Sequence, residues 1–175
     1  MSVGRLVWVK GFDVLLAAWA MVLRQHPEAR LVIAGDGPLR ASLLQQAVSL
    51  GIADHVTFLG LREDVPELLR AADIYVSSSR SEGMSNSILE ALASALPVVA
   101  TRAGAEDDVI DDGVTGLLIP SENPTANAEA LTALLKDPLR RREMAERARA
   151  RILRDFQVSA VVDRYLRLYR ELSSP

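Results

Sequence analysis

The chain has no cysteine among its 175 residues, which excludes disulfides and thiolate metal sites and is compatible with a reducing, cytoplasmic setting. Histidine is nearly absent too. His26 and His55 lie far apart in sequence and do not make a metal pair. No apolar run reaches the ~18 residues that suggest a membrane span, and Met1-Ser2-Val3-Gly4-Arg5 lacks an apolar signal region, so a soluble domain is expected. An excess of positive charge is also missing, because the formal net charge is −3. The arginines at 140, 141, 142, 147, 149, 151 and 154 are interleaved with Glu143, Glu146 and Asp155. That pattern describes a solvated helix face, not a nucleic-acid footprint, although a basic helix can also rest on the inner face of an anionic membrane. The remaining composition, 49% hydrophobic and 25% charged, is that of an ordinary globular domain long enough for a real core.

Short β-branched runs alternate with helical stretches. Strands are predicted at 31–34, 56–59, 74–76, 98–101 and 116–119, each apolar without a polar alternation, as in a parallel sheet buried on both faces. Helices are predicted at 12–25, 39–50, 65–71, 87–95, 107–111 and 125–136, with Asp64 in the cap position before Pro66. From Pro138 onward the chain reads as helix. This order predicts an α/β fold: a Rossmann-like, doubly wound parallel sheet of about six strands, with C-terminal helices. Residues 1–175 form one domain in this reading, and 138–175 form its helical tail. In such sheets ligands bind beyond the carboxyl ends of the strands, here after residues 34, 76 and 101. The stripe Val158, Val161, Val162, Tyr165, Leu168, Tyr169 and Leu172 is expected to pack, either on this domain or against another chain.

The segment Ser81-Glu82-Gly83-Met84-Ser85-Asn86-Ser87-Ile88-Leu89-Glu90 carries two carboxylates eight positions apart around a helix start. Carboxylates bind hydroxyls, and the N–H groups of Met84, Ser85 and Asn86 can bind an anion, although Glu90 could equally solvate a helix face. Gly4-Arg5-Leu6, followed by Lys10-Gly11, offers a planar fork of donors and a point charge suited to a diphosphate. Gly35-Asp36-Gly37-Pro38 lacks the third glycine and the downstream acid of a dinucleotide site, so a tight turn at a helix start is the better reading. The serines of 77–81 have no histidine or G-x-S-x-G context to activate them, and Asp107-Asp108 with Asp111-Asp112 read as helix-end residues.

Taken in order, Gly4-Arg5-Leu6, Lys10-Gly11, Gly35-Asp36-Gly37-Pro38, Phe58-Leu59-Gly60, Glu82-Gly83 with Glu90-Ala91, Pro97-Val98-Val99-Ala100-Thr101 and Asp112-Gly113-Val114-Thr115-Gly116-Leu117-Leu118 resemble one family. The chain is similar, over essentially its whole length, to the C-terminal, donor-binding domain of the group 1 retaining glycosyltransferases of GT-B fold. The resemblance implies that Arg5 and Lys10 hold the donor diphosphate and stabilise the departing nucleoside diphosphate, in place of a metal ion. Together with Glu82, which would contact the transferred sugar, they would be the catalytic set. Glu90 would accept hydrogen bonds from the ribose. Gly4 and the amides of Gly83, Met84, Ser85 and Asn86 would approach sugar and phosphate, and the backbone at Leu61 and Arg62 would flank the base. The implied substrate is a UDP-, GDP- or ADP-sugar, with no cofactor and no bound metal. One departure stands out: Gly104-Ala105-Glu106-Asp107-Asp108 replaces the common Gly-Gly-x-Pro-Glu, putting a Cβ at Ala105 and a shorter acid at Asp108.

The resemblance also implies that acceptor groups belong to an N-terminal domain outside this sequence. The expected partners are therefore the nucleotide sugar and either an acceptor-domain chain or a second copy meeting the C-terminal helix. Alone, the chain is expected to bind a donor and transfer poorly. A non-catalytic nucleotide-sugar-binding or assembly module is the alternative, and nucleotide-sugar epimerase-like chemistry is a third.

Overall fold

A computed structural model of the chain describes residues 1–173. Six strands, all parallel, form two three-stranded sheets. One runs β3 (Val56–Gly60), β2 (Leu31–Ala34), β1 (Ser2–Val3); the other runs β4 (Tyr75–Ser77), β5 (Val98–Thr101), β6 (Gly116–Ile119). They meet edge to edge at β1 and β4, where the Val76 N–H donates to the Met1 carbonyl at 2.9 Å. Read across that seam the order is 3-2-1-4-5-6, and the direction of strand succession reverses between β1 and β4. That reversal opens a crevice at the carboxyl ends of the strands.

Helices cover both faces. On one, α1 (Phe12–Val22), α2 (Arg40–Ser49) and α6 (Pro124–Lys136) bury Leu15, Leu16, Trp19, Leu43, Leu131 and Leu134 against Ile33, Val76 and Val99. On the other, α4 (Asn86–Ala93) and α7 (Pro138–Asp155) bury Ile88, Leu92, Ala148 and Ile152 against Tyr75, Val98 and Ala100. Successive residues of β4 and β5 thus feed opposite cores, which is why these strands carry no polar alternation. Two short helices, α3 (Val65–Arg70) and α5 (Glu106–Val109), complete this part.

Local chemistry sets the ends. Asn123 and Asp137 cap α6 and α7 by accepting the N–H groups of Ala126 and Arg140, each at 2.9 Å, with proline in the first helical turn. Asp64 does not cap α3: its carboxylate is taken by Arg62, at 2.8 and 2.5 Å. After α4, Ala95 adopts a left-handed φ of 57° and lets the Leu96 N–H return to the Ala91 carbonyl at 3.0 Å. Helix α1 stops at Val22, three residues short of expectation.

The last helix, α8 (Val158–Ser173), departs most from a packed fold. None of its residues is buried, and Val158, Tyr165, Tyr169 and Leu172 stand open. The stripe does not fold back onto the described domain. No described helix is long and apolar enough to cross a membrane.

Candidate functional site

The end of β1 is built into the loop after β2. The Gly4 N–H donates to Ala34 at 3.0 Å, the Leu6 N–H to Asp36 at 2.9 Å, and the Leu39 N–H back to Leu6 at 3.0 Å. Leu6 is fully buried and anchors the segment. A cleft of about 470 Å³ opens above it at the carboxyl ends of β1, β2 and β3. Gly4, Arg5, Gly35, Asp36, Leu61 and Arg62 line it. Four of the expected binding residues, from segments more than fifty positions apart, therefore share one cavity. Arg5 is exposed at its wall, and its guanidinium makes no hydrogen bond or ion pair among the described residues. Arg62 is held by its fork with Asp64, which lowers the Asp64 pKa below its ordinary value through that hydrogen bond.

A 3₁₀ turn at Trp8–Lys10 carries the second cation. Gly11 ends it at φ 62°, and a Cβ there would lie 1.9 Å from the Ser78 carbonyl oxygen, so only glycine lets the turn press onto the end of β4. The Lys10 stem passes Gly4, whose missing Cβ would stand 3.7 Å from Lys10 Cδ. Its ammonium then meets the Glu82 carboxylate. The pair is shielded, with side chains 24% and 12% exposed. Ser79 Oγ donates to the same Glu82 oxygen at 2.8 Å. The cation expected to hold a diphosphate and the acid expected to hold a sugar are thus bonded to each other in this structure.

The Glu82 main chain is fixed as tightly as its side chain. Its N–H donates to Ala103 at 3.0 Å, and Gly104 packs so close that a Cβ would fall 1.8 Å from the Glu82 carbonyl oxygen. The close approach is made at Gly104 itself, one position before the Ala105 departure. The loop is finished by Glu106, which is buried and accepts the Ala103 N–H at 3.0 Å. The acidic run beyond is spent on ion pairs: Asp107 and Asp112 with Arg102, Asp111 with Arg151.

Gly83, Met84 and Asn86 are exposed and Ser85 is half-buried at the start of α4, where the Ser85 hydroxyl turns to Ser87 at 3.1 Å instead of capping the helix. The first N–H groups of α4 thus carry no side-chain cap. Glu90 lies exposed one turn further along. Beneath them Tyr75 donates to Ser87 Oγ at 2.8 Å. Burial pushes its phenol up to about 12, and the charges of Glu82 and Glu90 add to the rise, so both carboxylates act on one hydroxyl.

Sequence reasoning passed over Tyr75, Ser79 and Arg80. The available signal was the run Ser77-Ser78-Ser79, all buried at the end of an apolar strand. Small hydroxyl residues there offer both donors and acceptors to the segments packed around them. Asn127, fully buried on α6, donates to Ser78 Oγ at 2.7 Å, and Thr101 Oγ1 donates to the Ser79 carbonyl at 2.5 Å.

A parallel, doubly wound sheet with a cleft at the carboxyl ends of its strands is the Rossmann-like design of nucleotide-binding domains. The sequence model of the family described as glycosyl transferases group 1 matches residues 1–151, and the chain belongs to that family. It is 34% identical over 164 residues to an N-acetyl-alpha-D-glucosaminyl L-malate synthase of Bacillus anthracis, covering 94% of this chain and 43% of that protein. It is 35% identical over 168 residues to the lipopolysaccharide core biosynthesis glycosyltransferase LpsE of Rhizobium meliloti, covering 96% and 48%. The chain thus spans less than half the length of these relatives. Among solved structures, HepE of Anabaena in complex with UDP superposes with a TM-score of 0.91 at 27% identity, over 97% of this chain and 48% of that one. The C-terminal domain of the group 1 glycosyl transferase LpcC of Francisella tularensis superposes with a TM-score of 0.83 at 26% identity, covering 90% and 85%. The neighbours are GT-B glycosyltransferases, and the fold is theirs.

Proposed function

We propose that this domain is the donor half of a retaining glycosyltransferase: it binds a nucleoside-diphosphate sugar and transfers poorly without a second, acceptor-binding unit. One observation carries the reading. The Lys10 side chain runs past Gly4, which lines the cleft, to Glu82, so one cation connects the cleft we assign to the nucleoside with the acid we assign to the sugar. The UDP held by the Anabaena neighbour supports the same ligand class.

In this reading the base lies in the cleft by Leu61 and Arg62, and Glu90 takes the ribose hydroxyls. The diphosphate meets Arg5, Lys10 and the uncapped amides of Gly83, Met84, Ser85 and Asn86. Lys10 exchanges Glu82 for the phosphate, which frees the carboxylate for sugar hydroxyls while Ser79 keeps it in place. The bond from the anomeric carbon to the β-phosphate oxygen then breaks, and its electron pair stays on the diphosphate, where the two cations stabilise it. The acceptor hydroxyl adds to the same face of that carbon, and its proton passes to the departing phosphate oxygen. The exposed stripe of α8 supports a contact with a separate chain, an acceptor-binding subunit or a second copy.

Calorimetry of the 175-residue chain with UDP, GDP and ADP and their glucose conjugates tests the ligand. Binding of one nucleotide is expected, with Lys10→Ala weakening it by about ten- to a hundredfold, the range of a charge-assisted hydrogen bond. Absence of binding to all six compounds refutes the assignment.

A further inference from the structure

Arg80 lies two residues before Glu82, and its side chain is only 9% exposed. Its guanidinium donates to both oxygens of Asp13, at 2.8 and 2.7 Å, to Glu122 at 3.0 Å and to the Trp8 carbonyl at 2.7 Å. The same group lies 4.8 Å from the centre of the Trp8 ring, over its face. Its main-chain N–H donates to Val9 at 2.7 Å. One residue therefore fastens the Trp8–Lys10 turn, which carries Lys10, to the segment that carries Glu82. Both bonds to the turn are to backbone carbonyls, so they fix the path of the chain and not merely a rotamer. Asp13 ties the node to the first turn of α1, and Glu122 reaches it from the loop before α6 with its own backbone in the left-handed region, φ 56°. A non-glycine residue held at that φ is strained, and the ion pair to Arg80 is what its side chain gains there.

The geometry points to Arg80 as a positioning residue that sets the distance between Lys10 and Glu82 and so couples recognition of the diphosphate to recognition of the sugar. It does not touch the ligand in this assignment, which rests on the nucleotide-sugar reading of the site. A planar fork is needed, because three acceptors and an aromatic face surround one group. Lysine keeps the charge and cannot meet that set.

The test is a double-mutant cycle in donor affinity, measured by calorimetry with UDP and UDP-glucose on the 175-residue chain, with thermal melts of every variant. Arg80→Lys is expected to weaken UDP-glucose about tenfold, more than it weakens UDP. In the Lys10→Ala background the same change should cost less than threefold, because there is no ammonium left to position. Asp13→Asn, which removes the bidentate partner without altering either ligand loop, should reproduce the loss in part and also vanish in that background. It carries the test if Arg80→Lys does not fold. Losses that simply multiply with that of Lys10→Ala, or an unchanged affinity in Arg80→Lys, overturn the positioning role while leaving the donor reading intact. A native chain that binds neither UDP nor UDP-glucose, nor the GDP and ADP counterparts, overturns both.

Discussion

Replacing Gly104 by alanine puts one methyl group where the structure has backbone. The new Cβ would stand 1.8 Å from the Glu82 carbonyl oxygen, 2.8 Å from its carbon and 3.4 Å from the Gly83 oxygen. A relaxed carbon–oxygen contact is about 3.4 Å, so the two segments must part by roughly 1.5 Å. No rotamer change relieves this, because every clashing atom is main chain and the Glu82 N–H is already bonded to Ala103. Overpacking of this kind costs about 1–3 kcal/mol, which for a chain of this length lowers the melting temperature by roughly 2–12 °C. The displacement falls on Glu82, whose carboxylate leaves Ser79 and Lys10 as its backbone retreats. UDP-glucose should therefore weaken by tenfold or more, and UDP less. Gly83→Ala is the control, because nothing lies within 4 Å of its Cβ, and its stability should stay within about 0.5 kcal/mol of the parent. Urea unfolding at constant slope and calorimetry on the three proteins read both effects. A Gly104→Ala protein as stable as its parent, binding UDP-glucose equally well, would refute the account of how Glu82 is held.

Three further outcomes follow from the same geometry. Ala95→Gly should stabilise the chain by about 1 kcal/mol in urea melts, because the left-handed φ of 57° favours glycine. Tyr75 keeps its proton in the native state up to about pH 12, whereas the unfolded phenol ionises near 10. Stability should thus fall as pH rises through that interval, by about 2–3 kcal/mol, and Tyr75→Phe should flatten the alkaline limb of the stability curve. Asp13 titrates below its ordinary 3.8, chiefly through its hydrogen bonds from Arg80. The stability it contributes is present above that pH and lost as the pH drops through the lowered native value, so Asp13→Asn should make acid unfolding less steep there.

Much of the molecule was legible in its residues, and the reason differs from element to element. The apolar runs at β2, β4 and β5 announce strands because both faces of each are buried, and a sequence records burial directly. Helices were legible in type and less so at their ends. Asp64 looked like a cap, yet a guanidinium two residues away outcompetes the helix amides for its carboxylate. The gathering of Gly4, Arg5, Leu61 and Arg62 at one cleft follows from strand order, since each sits just past a strand end. Arg80 left no such mark, because the three residues its guanidinium bonds lie at positions 8, 13 and 122.

The sequence by itself determined the alternation of strand and helix, the parallel sheet, the family and the set of polar residues at the strand ends, since each depends on local periodicity or on short motifs. Only the tertiary structure decided what those residues do to one another. Lys10 and Glu82 stand 72 positions apart, and their meeting depends on the path of the whole intervening chain. The same holds for α8. Its apolar stripe is a local property, but whether that stripe is covered depends on surfaces elsewhere, and the described domain offers it none.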